Sequence, residues 1–384
     1  MTKKIHRMMS VLTVFMAVMF IAIKTSHAAT DKEQIRATLN NYIQGTSYNY
    51  PNKIARAFYP SAELLLEKKD TPLWRVPAQE YISWFKAGNA GKFTGRIGEI
   101  LNIDVSGAIA TAKVEILLPA RKTRFVDLFL LKRIDGSWQI ISKTAVKHSA
   151  NNNGMRILFI VSNQQFHGSS KLPVGASFSE LVNAYDTFKS AGYTIDFVSP
   201  DGGAIPLSYI NTSDALQKRY LYDVDFMYGL ANTLAPDEIK ASQYKAVHYI
   251  GGSSAMYGVA NNVKINKISM DIYEKYNGII SSVCHGTAGI AFLKLSSGEF
   301  LVKGKSISGY PDEYEDPKRE YYQHFPFPIT QTIEKHGGKF KYSARSKVHV
   351  ESDGRVVTGQ NYQSSALVAQ SVIDIIAQQA KQKG

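Results

Sequence analysis

The spacing of apolar residues changes its rule once along this 384-residue chain, across the polar stretch "HSANNNG" from His148 to Gly154. Before it, "DKEQIRATLNNYIQG" sets Ile35, Leu39, Tyr42 and Ile43 at helical spacing, and "NKIARAFY" predicts a second short helix. Strand-like pieces follow: "AELLLEK", "RIGEILNIDVSG", "AIATAKVEILLPA", "RFVDLFLLKRI" and "SWQIISKTAVK", with "VSGA" and "IDGSW" as hairpin turns. Helices first and strands after predict an α+β cone, helices resting on a curved antiparallel sheet. After the polar stretch the rule is alternation. "MRILFIVS" is a buried strand, and "SFSELVNAYDTFKSAG" carries Phe178, Leu181, Val182, Tyr185 and Phe188 on one helical stripe. Then come "TIDFVSP", "YKAVHYIGG", the helix "VKINKISMDIYEKYNG" and the strand "GIISSVC". Such βαβ order implies right-handed crossovers and a mostly parallel sheet covered on both faces, a flavodoxin-like sandwich whose ligands bind at the carboxyl ends of the strands. The predicted division is residues 1–29, 30–148, a linker at 149–154 crossed by few contacts, and 155–384.

The first 29 residues stand apart from either fold. Lys3, Lys4 and Arg7 precede an apolar run from Met8 to Ile23, and "KTSHAAT" offers small residues for cleavage after Ala28 or Ala29, the pattern of an export signal. The run is shorter than the ~20 residues of a spanning helix, so no membrane span is expected after cleavage and the chain is expected to be periplasmic or secreted. Four cations and no acids lie in this segment, which leaves +9 of the formal +13 charge on the remainder. Those cations are scattered, so the charge predicts solubility and no nucleic-acid partner. Whether the chain forms a homodimer is left open.

The chain has one cysteine, Cys284, in "GIISSVCHGTAGIAFL". It can make no intrachain disulfide, so it is either a small buried hydrophobe or a reactive group. The run before it reads as a buried strand and the small residues after it as a helix. A thiol at such a helix start is expected to favour the thiolate. No phosphate-binding loop, dinucleotide fingerprint or metal-ligand spacing is visible, and the reaction is expected to need neither cofactor nor metal. His248 reads as strand packing and His336 as a helix-end residue.

Two resemblances follow from these motifs. "TLNNYIQGTSYNYPNKIARAFYPSAELL" and "FLLKRIDGSWQIISK" resemble the lumazine-binding-like branch of the nuclear transport factor two superfamily, which implies the cone and a binding or assembly module. "MRILFIVSN", "FSELVNAYDTFKSAGYTIDFVSP", "YKAVHYIGG", "VCHGTAGI" and "SKVHVESDGRVVTGQNYQSSALVAQSVIDII" resemble the ThiJ/PfpI superfamily, relatives of the class I glutamine amidotransferases; the Cys-His pair argues against the amidotransferases themselves. By position that resemblance implies Cys284 as nucleophile, His285 as its neighbouring acid/base and Glu180 as the helix-borne acid bonded to the sulfur. It also implies an acid orienting His285, best matched by Glu315 with Asp312 and Glu313 as competitors, and backbone N–H groups of Gly251 and Gly252 as an oxyanion site. Ser253 departs from the family's usual residue after that Gly pair. The implied activity is cofactor-independent conversion of a small reactive carbonyl such as methylglyoxal to a hydroxy acid, within a stress response. The alternatives are hydrolysis of an amide or peptide at the same Cys, and a non-catalytic redox sensor, ligand receptor or holdase.

Overall fold

The computed structural model describes residues 30–382, so the segment expected to be an export signal, residues 1–29, lies outside the described residues. Helix α1 (Asp31–Ser47) starts at Thr30, whose side chain accepts from the Glu33 N–H while the Glu33 carboxylate accepts from the Thr30 N–H, so two end donors are satisfied together. It is followed by α2 (Pro51–Ala57), β1 (Phe58–Lys68), β2 (Thr71–Pro77), α3 (Ala78–Ser83), β3 (Ile97–Ser106), β4 (Ile109–Leu118), β5 (Thr123–Ile134) and β6 (Ser137–Ser149). The strands form one sheet in the order β2-β1-β6-β5-β4-β3. Ile35, Leu39 and Tyr42 of α1 bury against Val114, Ile116, Phe129 and Ile140 on its concave face.

Two details differ from the sequence reading. The sheet is not wholly antiparallel: β1 pairs with β6 in parallel, because the first and last strands meet only after the whole sheet has been laid down, and so no tight turn fixes their direction. Strand β2 and helix α3 were also not legible. Pro72 and Pro77 break the strand signal, which is where proline is tolerated, on an edge strand.

The second domain contains β7 (Arg156–Ile160), α4 (Phe178–Ser190), β8 (Thr194–Val198), α5 (Val224–Ala231), β9 (Tyr244–Tyr249), α6 (Val263–Met270), β10 (Ile279–Val283), β11 (Val350–Asp353), β12 (Val356–Gly359) and α7 (Ser365–Lys381). Its six-stranded sheet runs β11-β12-β10-β9-β7-β8, parallel except for the edge hairpin β11–β12. Alternate residues of β7 serve opposite faces. Ile157 and Phe159 pack with Phe178, Leu181 and Phe188 of α4 and Val372 of α7, while Leu158 and Ile160 pack with Ile265 and Ile268 of α6. Among the described residues no helix is long and apolar enough to cross a membrane.

The polar stretch between the halves is fastened to both. The Ala150 N–H donates to Lys122 O, the Asn153 N–H to Gly192 O, and the Asn153 side chain to Ala191 O. The halves also touch directly through the Lys113–Asp225 ion pair at 2.9 Å, and Tyr228 of α5 packs on the first domain's core. The expectation of few crossing contacts is therefore corrected: Asn side chains and free backbone groups in this stretch find partners on the neighbouring surfaces.

Candidate active site

The site lies at the carboxyl ends of β9 and β10. Strand β10 is buried throughout, and the chain leaves it at Cys284 with φ +55°, a left-handed conformation uncommon for a residue with a Cβ. The next residues, Cys284–Ile290, form a tight 3₁₀ turn rather than the regular helix expected from sequence. The sharp reversal lifts the sulfur out of the strand and aims it at a cavity. Gly286 permits that reversal, since a Cβ there would lie 2.4 Å from Tyr249 O.

Glu180 approaches from α4. Ser177 caps that helix, accepting from the Glu180 N–H at 3.4 Å. Phe178 and Leu181 anchor the first turn in the core, so Glu180, one position off the stripe, points at the sulfur. Its Oε2 accepts from the Gly251 N–H at 2.9 Å, and its carboxyl is hydrogen-bonded to Cys284. Glu180 is 2 % exposed, and this burial pushes its pKa up to about 8, against the smaller opposing effect of its hydrogen bonds. Burial also pushes the Cys284 thiol up, and the Glu180 charge adds to it. The sequence expectation of a thiolate favoured by a helix start is corrected: the helix that starts at Cys284 is a short 3₁₀ one, and burial beside a carboxyl outweighs the local backbone donors. The resting pair is neutral at pH 7.

The two glycines do not form the expected oxyanion pair. The Gly251 N–H is taken by Glu180, so its part is to hold that carboxyl, and a Cβ on Gly251 would meet Glu180 Oε2 at 2.5 Å. Gly252 does line the cavity, together with Ser253. Its φ of +86° and ψ of 150° belong to a region essentially reserved for glycine. A Cβ there would sit 2.4 Å from the Ser177 N and 2.5 Å from Gly175 O, both backbone atoms. Gly252→Ala is expected to destabilise the fold by about 2–4 kcal/mol, measured by chemical denaturation; a change within about 0.5 kcal/mol would contradict this packing.

His285 is held between Cys284 and an acid. Its Nδ1 lies 3.6 Å from Cys284 Sγ, and its Nε2 lies 2.7 Å from Glu315 Oε1. Of the three competing acids, Glu315 is the one brought to the histidine. Asp312 accepts from the Gln331 N–H instead, and Glu313 from the Tyr342 hydroxyl. Burial disfavours the Glu315 charge, but the hydrogen bond and charge of His285, with the Tyr321 hydroxyl at 2.7 Å and Arg345 nearby, hold the carboxyl below its usual range. The imidazole stacks on Tyr310 with ring centres 4.7 Å apart and meets the edge of Phe325.

Tyr310, Tyr321 and Phe325 were missed from sequence because they sit on irregular segments without periodic pattern. Together with Tyr209 and His167, the two tyrosines line a cavity of about 980 Å³ into which Cys284, His285, Glu180 and Glu315 open. His248 lies outside it, buried in β9, with Nδ1 2.9 Å from Ser281 Oγ. His336 follows a short helix and stacks on Phe300, as a helix-end packing residue should.

Residues 172–374 match the family model described as DJ-1/PfpI family, and residues 30–144 match the one described as "Putative lumazine-binding". Glyoxalase 3 of Candida albicans is 27% identical over 230 residues, covering 55% of this chain and 93% of that protein. Glutathione-independent glyoxalase HSP31 of Saccharomyces cerevisiae is 25% identical over 247 residues, covering 57% and 97%. The crystal structure of glyoxalase III from Candida albicans superimposes with a TM-score of 0.52 at 26% identity, covering 58% of this chain and 97% of the other.

Proposed function

The chain belongs to the DJ-1/PfpI family, and we propose that it converts a 2-oxoaldehyde to a 2-hydroxy acid without glutathione or any other thiol cofactor. The observation that carries this reading is the convergence of a buried carboxyl and a His–Glu pair on one thiol, with the likeness to glutathione-independent glyoxalases beside it.

With methylglyoxal the steps follow from these positions. The thiol proton moves to His285 Nδ1, and the imidazolium is stabilised by Glu315. The sulfur bonds to the aldehyde carbon, and the neutral Glu180 carboxyl protonates the new oxyanion, which gives a hemithioacetal. Glu180, now a carboxylate, takes the proton from that carbon while His285 gives its proton to the ketone oxygen. The result is an enediol. His285 then takes the proton of the first hydroxyl and Glu180 protonates the second carbon, leaving a thioester of lactate. Water adds to the thioester, its proton returns to Glu180, and the departing sulfur regains its proton from His285. Methylglyoxal and water have become lactic acid, and the site is restored.

The test is lactate formation from methylglyoxal in thiol-free buffer. Amine release from amides or peptides would instead support hydrolysis, and stoichiometric oxidation of Cys284 without turnover would support a sensor. The leader supports a periplasmic or secreted location, as part of the same proposal. Intact mass of protein from the cell envelope should then give Ala29 or Thr30 as the first residue, and a chain retaining Met1 would contradict export.

A further inference from the structure

The cavity is larger than a three-carbon oxoaldehyde needs. At about 980 Å³ it lies near the top of the roughly 300–1,000 Å³ range of pockets that enclose drug-sized ligands. Its outer wall is also cationic. Arg345 and Arg319 both line it, against one exposed acid, Glu320, because the other two acids of the lining, Glu180 and Glu315, are engaged with Gly251 and His285.

Arg319 is weakly countered by Asp316 at 3.7 Å. Arg345 forms no ion pair among the described residues: its guanidinium donates to the Tyr310 hydroxyl at 2.8 Å and lies over the Tyr314 ring. The backbone that carries it is also held in place. Ser343 N–H donates to Gln360 Oε1 at 2.7 Å, Asn361 Nδ2 donates to Arg345 O at 3.3 Å, and Lys347 N–H returns to Ala344 O. Tyr310 connects this cation to the chemistry, since its ring stacks on His285. A guanidinium has five N–H donors in a planar fork suited to carboxylate or phosphate, and only one is seen to be used here.

We propose that the substrate is a 2-oxoaldehyde larger than methylglyoxal that carries an anionic group, which Arg345 receives at the cavity wall while the aldehyde reaches Cys284. The proposal rests on the glyoxalase reading for its reactive end only. The anion-binding end stands on the cavity and on the Arg345 guanidinium, whose charge also bears on Glu315 but which forms no ion pair among the described residues.

The test pairs phenylglyoxal with 4-carboxyphenylglyoxal, which differ by one carboxylate placed away from the aldehyde. For the wild type, kcat/KM is expected to favour the carboxylate by about tenfold at low salt, as an exposed charge-assisted hydrogen bond would give. The preference should shrink towards one near 1 M salt, where screening acts within about 3 Å. Arg345→Gln should bring the ratio to about one, whatever the absolute rates, and Arg345→Lys should keep part of it. A second arm needs no turnover: binding of 4-carboxymandelate and of mandelate, the corresponding products, to Cys284→Ser by calorimetry. If neither aldehyde is converted, this arm still decides the anion site, and the glyoxalase reading is decided separately by lactate formation from methylglyoxal. Equal affinity for the two mandelates, or a preference that survives Arg345→Gln, would overturn the proposal.

Discussion

Glu180→Gln is expected to lower turnover of a 2-oxoaldehyde by about 10²–10⁴-fold with the thiol still present and the fold intact. The amide keeps the shape of the carboxyl and can still accept from the Gly251 N–H, so what is lost is the proton that Glu180 gives to the oxyanion and later moves between carbons. The pH profile separates this from a packing effect. With its pKa near 8, wild-type Glu180 is protonated at neutral pH, and activity should decline as pH rises through about 8. In Glu180→Gln that limb should be absent from the residual rate.

The same substitution should raise stability at alkaline pH. A carboxyl whose folded pKa lies above its unfolded one contributes stability that is fully present below the unfolded value and lost as pH rises through the folded value. Wild type should therefore lose stability between about pH 4.5 and 8, and Glu180→Gln should be the more stable protein above about pH 8, seen as a higher Tm. A Glu180→Gln protein with wild-type turnover, or one destabilised at alkaline pH, would count against this account of the carboxyl.

Cys284→Ser is expected to remove more, at least about 10³-fold, because a serine hydroxyl hardly ionises near neutral pH and makes a poorer leaving group from the acylated intermediate. The side chains are close in size, and the φ of +55° is a burden that both residues share, so denaturation midpoints should differ little. That combination, lost chemistry with kept structure, distinguishes a nucleophile from a core packing residue. His285 and Glu315 should still pair in the variant, since their 2.7 Å contact does not involve the sulfur.

Much of this site could be read from sequence, and the exceptions have physical causes. Cys284 stood out because a lone thiol between a buried strand and a run of small residues has few structural reasons to be there. Glu180 stood out because it leaves the apolar stripe of its helix. Glu315 could not be separated from Asp312 and Glu313 by spacing, since all three sit on one irregular stretch and only tertiary contacts with His285 and Tyr321 distinguish them. The glycine pair was misassigned for a related reason. Sequence shows that backbone comes close at Gly251 and Gly252, but not which group the N–H meets, and for Gly251 that group is the Glu180 carboxyl. In the fold, hairpins and βαβ units were legible because they are local. The parallel closure of β1 on β6 joins residues some eighty apart and leaves no local signal.

The most direct measurement of the central claim is lactate formed from methylglyoxal by the purified wild-type protein in buffer free of glutathione and other thiols, followed beside Cys284→Ser. The wild type is expected to form lactate catalytically, many product molecules per protein molecule, and the variant almost none. Disappearance of methylglyoxal without lactate, or equal lactate formation by the two proteins, would contradict it.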